Sequence, residues 1–230
     1  MSSNAQPPLI MIIRHGEKPG NPDDDKGGPD LSVLGSARAA AIPSLFVPNP
    51  TTQISNKLQQ LVCDLSTCAK NQFCGVYNYS TLNAGPPLFS TPNFLFATAP
   101  TNSSSRPLET ITPLVQALQF YQNNPMLTIN ANFTNDPDPT STNGVYALAA
   151  EILDNPSKYG GQNVLISWHH GTIPLLAERF GVGSQLPWTK WPPTVFDLVL
   201  SITGPSSSPT LSIGYQQLLY GDTTAPSKSS

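Results

Sequence analysis

Three short apolar runs limit what this chain can fold into. LIMII at 9–13, NFLFAT at 93–98 and NVLISW at 163–168 are five or six residues long and carry β-branched or aromatic side chains. Each is far too short for a membrane span, which needs about 20 residues, and each stops at a polar, charged or turn-forming residue. They are expected to be buried strands. Segments with helical spacing stand between them, at 31–46, 103–121 and 145–159, and another follows at 171–181. Ser32 and Ser105 sit where N-caps belong, Pro107 falls in a first turn where its missing N–H costs nothing, and Gly181 is placed to close the last helix. Pro43 is placed to kink or end the first helix. A short strand is expected at 126–133, and a late pair at 194–203 and 210–222. This alternation predicts a sheet with helices on its faces, and in such sheets ligands collect at the carboxyl ends of the strands.

A chain of 230 residues suits one substantial core, so 1–230 reads as a single domain. The segment 47–92 reads as an insertion within it, holding a helix at about 56–63 capped by Ser55. Its cysteines, Cys63, Cys68 and Cys74, are odd in number and lack paired C-x-x-C spacing, which fits one local disulfide with a free thiol, or three thiols, better than a zinc site. Net charge is −3 and no basic block appears, which argues against nucleic acid and anionic membranes as partners. Any anion site must therefore be a local cluster of cations. The opening MSSNAQPPLIMII lacks the basic n-region of a signal peptide, and a cytoplasmic protein is expected. The sequons at Asn78, Asn102 and Asn132 matter only in a secreted protein.

The chain has three histidines and four arginines. Arg14 and His15 end the first run, His169 and His170 end the third, and Arg106 follows the second through a short loop. All three histidines and two of the arginines thus converge on one rim. Guanidinium forks match phosphoryl oxygens bidentately, and a neutral imidazole is a nucleophile towards phosphorus. Phosphoryl transfer asks for little beyond in-line positioning and charge stabilisation. No Gly-rich phosphate loop or metal-binding carboxylate cluster is evident in the sequence, so the chemistry is expected to run without metal or other cofactor. Taken alone, His15 reads equally as a strand-end histidine with a structural hydrogen bond. Arg14, Arg106 and His170 in register favour a site. A metal shared by His169 and His170 is disfavoured, because adjacent strand residues point opposite ways. Arg106 stands at a helix start, where the dipole repels a cation, so a bound anion would account for it. Glu109 reads as a first-turn acid favoured by the same dipole. Trp188 and Trp191 read as packing for a loop, or as the rim of a substrate pocket.

RHGEKP (14–19) resembles the first motif of the histidine phosphatase superfamily, the phosphoglycerate mutase-like proteins. LSVLGSARA (31–39), SSSRPLETITPL (103–114), LISWHHGTIPLLA (165–177) and FDLVLSI (196–202) with LLYGD (218–222) resemble its later motifs in order. The resemblance implies a three-layer α/β/α fold with a central mixed, mostly parallel sheet. It implies a metal-independent phosphomonoester hydrolase that acts on a small phosphorylated substrate through a covalent phosphohistidine. His15 would be the nucleophile, Arg14 and Arg106 would bind the phosphoryl oxygens, and His170 would be the second pocket histidine. His169 matches no pocket position and points to the other face if the strand persists. Arg38 reads as a packing or helix-anchoring residue. The chain departs from the His-Asp members of the family, having His-Gly at the second motif. For the general acid, Asp136 is the first candidate and Asp138 the second, with Glu17 third. Asp136 also reads as a turn-former before Pro137. Two alternatives stand beside this reading: a non-catalytic phosphate- or phosphoprotein-binding module on the same fold, and a phosphomutase.

Overall fold

The first apolar run pairs along its whole length with the third. In the computed structural model, which describes residues 6–20, 28–48 and 87–222, β1 (Leu9–Arg14) lies parallel to β4 (Asn163–Trp168), with Arg14 opposite Trp168. β2 (Phe94–Thr98) and β3 (Ile129–Phe133) extend the sheet on one side, and β5 (Leu198–Thr203) and β6 (Thr210–Tyr215) on the other. The order is β3-β2-β4-β1-β5-β6. Pairing is parallel from β3 to β1, and antiparallel from β1 through β5 to β6. The sheet is therefore mixed and mostly parallel.

Period-2 alternation divides the strand side chains between two cores. Ile10, Ile12, Val164 and Ile166 pack with residues of α4 (Val145–Leu153) and α6 (Ile173–Arg179). Met11, Ile13, Leu95 and Leu165 pack with residues of α2 (Pro43–Phe46) and α3 (Arg106–Tyr121). Both faces of the sheet are covered, giving three layers. Burying each such Ile or Leu contributes about 1.5–3 kcal/mol, which is why the central strands carry almost no polar residue before their ends.

The helix breaks follow local chemistry. Ser32 caps α1 (Val33–Ala41), its Oγ accepting from Gly35 N at 3.0 Å. The expected helix 31–46 is interrupted at Ile42, and Pro43 opens the short α2. The expected helix 145–159 likewise divides. Pro156 disfavours a helical residue before it, and Asn155 takes φ −117°, ψ 59° between α4 and α5 (Pro156–Tyr159). Ser105 makes no side-chain cap; its Oγ bonds the Asp30 and Glu109 carboxylates instead. Gly181 at φ +81° turns the chain out of α6, as a glycine there can without steric cost.

The expected helix at 56–63, the three cysteines, Asn78 and most of the segment 47–92 lie outside the described residues. No helix among the described residues is long and apolar enough to cross a membrane.

Candidate active site

The carboxyl ends of β1 and β4 lie side by side, and the ladder runs one bond past Arg14. His15 N donates to Trp168 O at 3.1 Å. The His15 ring is 2 % exposed, and its Nδ1 lies 2.7 Å from Gly16 O. A carbonyl only accepts, so Nδ1 carries the proton, and Nε2 of the neutral ring keeps its lone pair. Burial, then the charge of His169, then Arg14 and Arg106 push the His15 pKa well below its ordinary 6.5, against the opposing pull of the Gly16 carbonyl. The ring is thus neutral at neutral pH, with one nitrogen tied down and the other a base.

Arg14 is completely buried. Its Nη1 donates to the carbonyls of Pro192, Pro193 and Val195, the last at 3.1 Å. The guanidinium carbon lies 3.6 Å from the centroid of the Phe196 ring. This pinning follows from topology: β5 runs antiparallel to β1, so the residues leading into β5 meet the end of β1. Arg106, 5 % exposed, opens α3 and donates from Nη1 to Gly28 O at 2.8 Å. Thr110, one turn on, links the two arginine-bearing elements. Its Oγ1 donates to Arg106 O at 2.7 Å and accepts from Gly16 N at 2.8 Å.

His169 differs from expectation. The strand stops at Trp168, and His169 O instead accepts from Thr172 N and Ile173 N as the chain turns into α6. The condition for His169 to face away is not met. Its ring centroid lies 5.2 Å from that of His15, and that of His170 lies 6.4 Å away. All three histidines of the chain come together. Gly171-Thr172 directly after the pair is the sequence signal that the strand had ended.

The three carboxylates proposed as acids differ in setting. Glu17 spends both oxygens on Arg38, which reaches Oε1 from Nη2 at 2.6 Å and Oε2 from Nε at 3.1 Å. Arg38 is 2 % exposed and also binds Asp222 through Nη1 and Nη2 at 3.0 and 2.6 Å. It is an anchor. Burial works against its charge, but Asp222 and Glu17 outweigh burial and raise its pKa. The loop after His15 and helix α1 meet backbone to backbone, since a Cβ on Gly35 would stand 2.3 Å from Glu17 O. Asp136 is exposed, and its Oδ1 accepts from Asp138 N at 3.0 Å, a turn of the kind expected before proline. Asp138 accepts from the amide and then the hydroxyl of Thr140, which hold its carboxyl below the ordinary value.

A cavity of about 1090 Å³ is lined by His170 and Gly171 together with residues of α6 and of 183–193. Trp191 is buried in the core and Trp188 packs against that core, yet both also wall the cavity. Glu178 stands on the same wall, four residues after Pro174 on one helix face.

No family model and no curated protein matches the sequence. Solved structures do match. The chain is similar in fold to histidine phosphatases. The protein histidine phosphatase SixA, complexed with tungstate, is 14% identical with TM-score 0.43, the match covering 90% of this chain and 97% of that one. A mycobacterial glucosyl-3-phosphoglycerate phosphatase in complex with VO3 is 13% identical with TM-score 0.44, over 94% and 100%. A protein described as mycobacterial hydrolase 2 is 14% identical with TM-score 0.45, over 96% and 93%. At these values the likeness is one of outline, and the chemistry rests on this chain's own residues.

Proposed function

We propose that this chain is a histidine phosphatase, a metal-independent hydrolase of small phosphate monoesters that works through a phosphohistidine at His15. The observation that carries the reading is the state of His15: a buried, neutral imidazole with Nδ1–H held by Gly16 O, and two guanidinium groups close enough to depress its pKa. In the first step Nε2 attacks phosphorus. The N–P bond forms as the ester P–O bond breaks, and the alkoxide leaves with that electron pair and takes a proton. In the second step water attacks phosphorus, the P–N bond breaks, and inorganic phosphate departs. Arg14 and Arg106 would hold the phosphoryl oxygens as charge builds on them, and His170 would add a further charged donor. The imidazole supplies the nucleophile and the guanidinium groups supply the charge, so the step calls for no metal ion. Asp136 remains the first candidate for the acid. Glu17 is engaged with Arg38, and Asp138 holds its proton weakly, so both are poorer donors.

The test is hydrolysis of an aryl phosphate in chelator, wild type beside His15→Ala, with a denaturing alkaline quench to trap phosphoenzyme. Turnover and acid-labile phosphate on wild type alone would support the reading. A second reading, a phosphate-binding module on the same fold, is favoured by the turn-bound settings of Asp136 and Asp138. It predicts tight binding of phosphate analogues with no phosphoenzyme. A phosphomutase would instead pass the trapped phosphate to an added acceptor alcohol.

A further inference from the structure

Resting on that reading, we propose that the cavity beside His170 is the leaving-group subsite. It is shaped for a flat aromatic alcohol that carries a hydrogen-bond acceptor. The substrates would then be phosphate monoesters of aromatic alcohols, rather than of sugars or of protein side chains.

Size comes first. A cavity of about 1090 Å³ matches the upper end of pockets for drug-sized ligands and far exceeds a phosphoryl group. Its walls come next. Pro174, Leu175, Leu186, Trp188, Trp191 and Pro193 are apolar or aromatic. The polar side chains of the lining are His170, Glu178, Ser184, Thr189 and Lys190, and it is the two indoles that favour a flat aromatic group over a sugar. Away from the phosphoryl end marked by His170, the charged lining residues are Glu178 and Lys190, one of each sign, so they favour no net charge on the group held there.

The two indoles discriminate further. They meet edge to face, with centroids 5.8 Å apart at 84°, so the two rings form one aromatic wall. Trp191 Nε1 donates to Val195 O at 2.8 Å. That carbonyl also accepts from Arg14 Nη1, so the cavity wall and a phosphoryl-binding arginine are pinned at one atom. Trp188 Nε1 is buried and finds no acceptor among the described residues. Buried donors are almost always paired in native proteins, and this one, closed off from the cavity, would meet an acceptor on the ligand as the indole shifts on binding.

The experiment uses three esters: 4-methylumbelliferyl phosphate, which is flat with a ring carbonyl; 2-naphthyl phosphate, flat without one; and glycerol phosphate. Wild type should show a KM for the umbelliferyl ester at least tenfold below that for glycerol phosphate. Trp188→Phe keeps an aromatic ring and removes the N–H. It should raise the umbelliferyl KM about tenfold and the naphthyl KM less than threefold, a loss typical of one buried hydrogen bond. Trp188→Leu should raise both. Equal KM values for glycerol and aryl esters, or a Trp188→Phe variant that moves both aryl esters alike, would overturn the proposal. A second measurement separates this inference from the catalytic one. Free 4-methylumbelliferone should bind His15→Ala and bind His15→Ala/Trp188→Phe about tenfold more weakly. If no ester is hydrolysed, the catalytic reading fails while that binding still supports the subsite. If the esters are hydrolysed and umbelliferone does not bind, the subsite alone is overturned.

Discussion

His15 is oriented and kept neutral by its neighbours on both sides. The Gly16 carbonyl decides which nitrogen bears the proton, while burial, His169 and the two arginines decide that the other stays bare. A histidine whose folded pKa lies well below 6.5 remains neutral as the pH falls through 6.5. Ring-¹⁵N spectra should therefore show His15 as the neutral Nδ1–H tautomer at pH 6.5 and for some distance below. An imidazolium signal at pH 6.5 would contradict the assigned environment. The linkage has one sign: below 6.5 the unfolded chain takes up a proton that the folded site refuses, so His15 lowers stability as the pH falls in that window. Thr110 carries the second prediction at this scale. Thr110→Val keeps the shape but leaves Gly16 N–H buried without its acceptor, at a cost of about 1–3 kcal/mol. Unfolding in urea should show that loss, and kcat should fall about tenfold with KM less affected, if Gly16 positions His15. Thr110→Ser should restore both, and failure of that rescue would point to packing instead. Arg14, His15, Arg106 and His170 were legible in the sequence because each stands next to a run whose end is obvious. Thr110 and Phe196 were not, since their roles come from hydrogen bonds and stacking between distant segments. His169 was expected to face away only if the strand persisted, and the strand ends at Trp168.

Elements meet at this site through one buried cation. Ser32, which caps α1, and Gly35 and Arg38 within it hold the 16–17 loop by a backbone hydrogen bond from Ser32 N to Glu17 O, by close backbone approach and by an ion pair. Arg38 then ties that loop to Asp222, near the far end of the described chain, with side chains of 3 % and 8 % exposure. Breaking one partner of a buried pair costs about 3–5 kcal/mol, and with Glu17 still present on Arg38 the low end of that range is expected for Asp222→Asn. The pH dependence supplies the check. Burial raises the Asp222 pKa, but Arg38 and the Leu219 and Leu218 amides outweigh it and hold the group below 3.8. A depressed carboxylate pKa adds stability that is complete above 3.8 and is lost as the pH falls through the folded value. Urea unfolding of wild type and Asp222→Asn should thus differ most at neutral pH and converge below pH 3.8. A difference independent of pH would show that the carboxylate charge is not what matters. Strands and helices were legible at this scale from periodicity, and the break at Pro43 from local chemistry, whereas 145–159 was expected as one helix and divides before Pro156. The Arg38–Asp222 tie spans 184 residues, and no local pattern announces it.

The whole molecule carries net charge −3, yet the function proposed for its candidate site calls for a dianion there. Strand–helix alternation was enough to anticipate the layered sheet and the rim on which the site lies, because parallel strands align their carboxyl ends. Alternation says nothing of how a substrate approaches. Two arrangements are open to a mildly acidic protein: a broad positive field over one face, or a few cations buried where only a seated phosphoryl group meets them. Arg14 and Arg106 are 0 % and 5 % exposed, which is the second arrangement. Salt separates the two, because at about 0.1 M the Debye length is near 10 Å and charges in solvent are screened while buried ones are screened much less. For a dianionic aryl ester, kcat/KM should fall less than about threefold when sodium chloride rises from about 0.05 to about 0.5 M, as expected where steering by a surface field contributes little. A fall of ten times or more would mean that surface charge delivers the substrate, and that the buried arginines act only after the substrate has been captured.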